Sequence, residues 1–134
     1  MSSHSNVRMQ SPLGRVRGLG SAKGGASHWF IQRASSMALL PLMLWFVISA
    51  ATLAGESHAA TLAWIGHPLN ATLLLLTIAI AFQHTASGLQ VVIEDYTRSE
   101  MVRTLSILAV KAACALFGVM AALSVLKIAV RPYV

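Results

Sequence analysis

The chain has 134 residues, of which 56% are hydrophobic and only 10% are charged, against about 25% charged in soluble domains. With a mean hydropathy of +0.68, this excludes an ordinary water-soluble globule and makes lipid the solvent for most of the surface. Ten Lys and Arg against four acids give a net charge of +6, but no basic stripe interleaved with exposed aromatics runs along the chain, so no nucleic-acid partner is expected.

The first segment, residues 1–25, is rich in Ser and Gly, and Arg8, Arg15, Arg17 and Lys23 occur there without any acid. It predicts a flexible basic arm ahead of a membrane domain over 26–134. A secretory signal peptide is not expected, since the early apolar core and small-residue cleavage site are missing; an organellar transit peptide shares the composition and stands as the alternative. Residues 34–54 and 69–93 then carry no charge, and 104–126 carry only Lys111. Each run is close to the ~20 residues that cross a hydrocarbon core. The prediction is an all-α membrane protein of three transmembrane helices, about 34–54, 69–93 and 104–126. Lys111, within two turns of the third span's start, snorkels to the interface. Pro68 suits the first turn of the second helix, whereas Pro41 lies inside the first and is a candidate kink.

The stretch 55–68, read as a connecting loop, has no Lys or Arg, whereas the arm and the 94–103 turn, with Arg98 and Arg103, are basic. The positive-inside rule therefore puts the N-terminus and that turn in the cytoplasm, although Lys127 and Arg131 near the other end count against it. Trp29 and Trp64 fall just outside the spans, where interfacial aromatics belong. The single cysteine, Cys114, excludes an intrachain disulfide, a CxxC metal site and a CxxCH haem attachment.

Of five histidines only His84 lies within a span. Placed about 14 Å from the Ile93 end, it is near mid-membrane, where an ionisable group is a functional hypothesis by default. A neutral imidazole bonded across helices, a proton relay and an axial haem ligand all fit that position. Ala81, Gly88, Val91 and Asp95 share its helix face. The small residues among them leave room for a flat macrocycle or for a closely packed helix. A lone imidazole supplies one axial bond, so a six-coordinate haem requires a ligand from another chain.

The end of the second span reads Ile93-Glu94-Asp95-Tyr96. These are solvated helix ends with a belt tyrosine, or a site where a phenol bonds a quinone carbonyl while acids handle protons. His28 and Arg33 mark the start of the first span at the same membrane face, and Arg33 is placed to pair with a haem propionate or with Asp95. A small transporter would need a carboxylate inside a span, and all four acids lie outside.

Two stretches carry a resemblance. The run HTASGLQVVIEDY, with His84, Gly88, Asp95 and Tyr96 spaced as H-x3-G-x6-D-Y, resembles the signature of the D-type hydrophobic membrane anchor of succinate dehydrogenase (complex II), and HWFIQRASSMALLPLMLWFV is similar to that family's first-helix entry. The resemblance spans about 25–126. It implies half of a heterodimeric helix bundle in a bacterial inner membrane, or alternatively a mitochondrial one. The implied partners are a C-type cytochrome b anchor, an iron–sulfur subunit and a flavoprotein subunit, with haem b shared between the anchors and ubiquinone as substrate. By the same resemblance His84 is the axial ligand to the haem iron, Arg33 and His28 lie near the propionates, and Tyr96 and Asp95 form the quinone site. With one cysteine and no GxGxxG the chain holds neither an iron–sulfur cluster nor a flavin, so it has no catalysis of its own. A haem-free structural anchor and a related fumarate reductase anchor are the alternatives.

Overall fold

The computed structural model describes residues 11–16 and 25–130. They form helices α1 (Pro12–Val16), α2 (Gly25–Leu53), α3 (His58–Gly66), α4 (Pro68–Tyr96) and α5 (Glu100–Ala129), with no strand among the described residues. Three of the helices, α2, α4 and α5, are long and apolar enough to cross a membrane, in agreement with the predicted class. At 29 or 30 residues each they extend to about 44 Å, beyond a ~30 Å hydrocarbon core and into both headgroup layers.

All three are longer than the charge-free runs that marked them. The first starts at Gly25 rather than 34, the second runs on to Tyr96 rather than stopping at 93, and the third begins at Glu100 rather than 104. Arg33, Glu94 and Asp95 end the apolar run without ending the helix, because charged side chains have ordinary helix propensity. Most of the predicted arm lies outside the described residues, although Pro12–Val16 form a single short helix there.

The expected 55–68 loop is the clearest difference, since it contains α3. Gly55 makes the turn out of α2 with φ at +94°, a left-handed conformation suited to a residue without Cβ. Ser57 caps α3 by accepting a hydrogen bond from the Ala60 N–H at 3.2 Å. His67 then closes α3 and opens α4, with Pro68 in the first turn of α4 where its missing N–H costs nothing. The helix is tied back at two points. Asn70 Nδ2 donates to the Trp64 carbonyl at 2.9 Å, and the Trp64 ring stacks on Trp45 of α2 with centroids 5.7 Å apart, a contact worth about 0.5–1.5 kcal/mol.

The middle element is α4, which packs on α5 along one side and on α2 along the other, with α3 touching α4 and α5. Among the described residues buried positions are few: Leu42, Gly66, Ala71, Leu74 and Ala86, with Thr77 and Ser87. Thr77 is satisfied within its own helix by donating to the Leu73 carbonyl at 2.7 Å. Large side chains such as Leu40, Leu44, Phe46, Phe117 and Leu123 point outward, as apolar groups do when lipid or another membrane chain covers them.

Close approach of α4 and α5 depends on Gly118. A Cβ there would lie 3.3 Å from the Phe82 ring. Gly118→Leu should therefore wedge the two helices apart and destabilise the protein by about 1–3 kcal/mol, read as a lowered thermal midpoint of the detergent-solubilised protein, with Gly118→Ala close to the parent. The antiparallel helices also make a statement about sidedness. A reporter active only in the cytoplasm is expected to work when inserted after Arg98 and to be silent when inserted after Glu56; the reverse pattern would invert the orientation taken from the basic residues.

Candidate functional site

His84 lies in α4 and is half-buried against α2. Its Nδ1 is 2.8 Å from the Oγ of Ser35, across the helix interface. One turn along, Gln32 of α2 reaches over Gly88, with its Nε2 3.4 Å from where a Cβ would be. The two pairs set an antiparallel register in which each step up α2 matches one step down α4. At Gly88 the Gln32 side chain of the neighbouring helix lies within contact distance, as the helix-packing reading of that glycine expects. The Gln32 Oε1 is buried there without a hydrogen-bond partner.

Arg33 departs from expectation. On this register it stands level with about Ser87, roughly 5 Å along the axis from His84 and roughly 14 Å from Tyr96. It points away from α4, about 200° around α2 from Ser35. Its guanidinium lies over the Trp29 ring at 5.3 Å, a cation–π contact within one helix. No described carboxylate pairs with Arg33, so the anticipated Arg33–Asp95 contact is not formed. The backbone of His28 belongs to α2, and its side chain lies outside the described residues.

Tyr96 is the last residue of α4 and is 85% exposed, with Asp95 exposed beside it. Glu94 accepts a hydrogen bond from Gln90 Nε2 at 2.7 Å, a turn back on the same helix. Candidate groups thus fall into two tiers along α4. His84 with Ser35 and Gln32 is one, and Asp95 with Tyr96 is the other, about 16–18 Å further along.

On the opposite face of α4 a groove of about 600 Å³ opens against α5, its walls including Gln83, Ser87, Gln90 and Lys111. His84 does not line it. Because α5 begins at Glu100, Lys111 is about 16 Å along its helix, nearly as deep as His84. Its side chain tilts back toward the Glu100 end, as helical side chains do.

Among the described residues no cluster of three or more His, Cys, Asp or Glu could form a protein metal cage. His84 can therefore offer one bond to a metal that brings its other ligands with it, as a haem iron does. With Nδ1 occupied by Ser35, the remaining nitrogen, Nε2, is the one available, and a half-buried neutral imidazole is chemically suited to that use.

Sequence reasoning missed Ser35 and Gln32. Drawing the first helix from residue 34 put Ser35 at the membrane surface, far from the depth of His84. Starting it from Gly25 makes the two level, and the signal that would have done so is the absence of any helix breaker between Gly25 and Arg33.

A model of the succinate dehydrogenase/fumarate reductase transmembrane subunit matches residues 7–120. The chain belongs to this family. Succinate dehydrogenase hydrophobic membrane anchor subunits of Rickettsia conorii and Rickettsia bellii are 31% and 35% identical to it. These matches run over 101 and 99 residues, covering 75% and 72% of this chain and 80% and 78% of the relatives. The anchor subunit of Paracoccus denitrificans is 32% identical over 90 residues, 67% of this chain and 70% of its own length. No solved structure matches. Membership of this transmembrane-subunit family agrees with three spanning helices.

Proposed function

We propose that the chain is the hydrophobic membrane anchor of succinate dehydrogenase in a bacterial inner membrane, acting as a non-catalytic half of a two-chain helix bundle. The anchor subunits of Rickettsia and Paracoccus carry this reading, since they align over most of their length and are named for succinate dehydrogenase. In it, the chain holds an iron–sulfur subunit and a flavoprotein subunit at the membrane and contributes to a haem b and a ubiquinone site. A C-type cytochrome b anchor provides the other half.

At the first tier His84 would hold haem iron through Nε2, with Ser35 bonded to Nδ1 on the far side of the ring. The haem supplies one-electron storage and transfer. Arg33, close to that level and outside the α2–α4 seam, and His28 would hold the propionates, the role that the family resemblance gives them. At the second tier the Tyr96 hydroxyl donates a hydrogen bond to a quinone carbonyl, and Asp95, open to water, passes protons as the quinone takes two electrons and two protons. Both residues are exposed at a helix end, where a headgroup ring could reach them and water is close.

The haem assignment has a direct optical test. The assembled complex should show a b-type band in a reduced-minus-oxidised spectrum, and His84→Ala should abolish it; a parent without the band, or a band that survives the substitution, leaves the haem-free anchor as the reading. Tyr96→Phe should lower quinone kcat/KM about tenfold, the effect of losing one hydrogen bond of ~1.4 kcal/mol. Succinate oxidation by a soluble dye should stay at the parent level. Unchanged quinone kinetics in an intact complex would return Tyr96 to the role of a belt residue.

A further inference from the structure

We infer that Ser35 is a positioning residue for His84, fixing the imidazole as the Nδ1–H tautomer and leaving the Nε2 lone pair free for a metal. This deepens the haem reading above and rests on it. The geometry at Ser35 carries it. Its hydroxyl has a single proton and two acceptors in reach, the Gln32 carbonyl at 3.0 Å and His84 Nδ1 at 2.8 Å.

A serine or threonine inside a helix ordinarily returns its proton to a carbonyl of the preceding turn, as Ser36, Thr52, Thr61, Thr72, Thr77, Thr104 and Ser124 do in this chain. With the Ser35 proton on the Gln32 carbonyl, its oxygen turns a lone pair toward His84, and the contact is a hydrogen bond only if Nδ1 carries hydrogen. The result is a two-step chain from His84 Nδ1–H to Ser35 Oγ–H to the α2 backbone. Among the described residues Ser35 is the hydrogen-bond partner of the ring, and it thereby favours one tautomer and one rotation.

The opposite tautomer would place the proton on Nε2 and block coordination. A partner on the far ring nitrogen also raises the ring's basicity as a ligand, and losing one typically costs about 10–100-fold in metal affinity. The hydrogen bond joins residues 49 apart in sequence. It therefore ties ligand orientation to the docking of α2 on α4.

The experiment uses the complete complex with Ser35→Ala and Ser35→Thr, and His84→Ala alongside. Haem per complex is measured through dialysis against a haem-binding apoprotein, together with the haem midpoint potential. Ser35→Ala should lose haem at least tenfold faster than the parent and shift the potential, whereas Ser35→Thr, which keeps the hydroxyl, should track the parent in both. Parent-like retention and potential in Ser35→Ala would overturn the inference, as would equal defects in the Ala and Thr variants. If instead His84→Ala keeps its haem, the ligand assignment itself is what fails.

Discussion

Inside hydrocarbon a peptide group has no water to bond, so the chain must satisfy its own backbone, and it does so with three helices that run well past the apolar core. Side-chain hydroxyls obey the same constraint. Half of the Ser and Thr groups on α2, α4 and α5 donate to carbonyls of their own helix without reaching another one, which removes their need for a partner and lets the helices meet there through shape alone. Ser35 and Gln32 are different because they reach across to α4. The polar chemistry of the seam is therefore concentrated at one depth, next to the one histidine that lies inside a predicted span.

Much of this was legible in the sequence, and the parts that were not share a cause. The three spans, their order and the special standing of His84 follow from where charge is missing. Charge, however, marks the membrane boundary and not the helix boundary. Reading Arg33 and Asp95 as helix ends moves Arg33 toward Tyr96 and hides the match in depth between Ser35 and His84, whereas α2 and α4 run past both residues. The short helix α3 went unseen for another reason. Its nine residues are too few to span, and they form because Ser57 caps them and because Trp64 finds Trp45, a neighbour that exists only once α2 has folded back. The role of Gly88 was open for the same reason, since no single-helix pattern says which partner takes the space above a glycine.

The surface left exposed also has physical content. Few side chains are buried among the described residues, and the large apolar groups of α2 and α5 face outward. Such a bundle is stable in lipid but offers little interior of its own, which suits a chain whose family is defined by its place in a larger enzyme. Three charged or ionisable side chains lie at similar depth, His84, Lys111 and Arg33, and His84 and Lys111 stand on opposite faces of α4. A full helix diameter, about 10 Å, separates those two side chains.

The links between helices differ in length, and this orders events in time. Only residues 97–99 separate α4 from α5, so the two are neighbours as soon as they enter the bilayer. The two sides of the His84–Ser35 contact are instead brought together from 49 residues apart, across Gly55, α3 and Pro68. The orientation that Ser35 gives the His84 ring exists only once α2 has docked on α4.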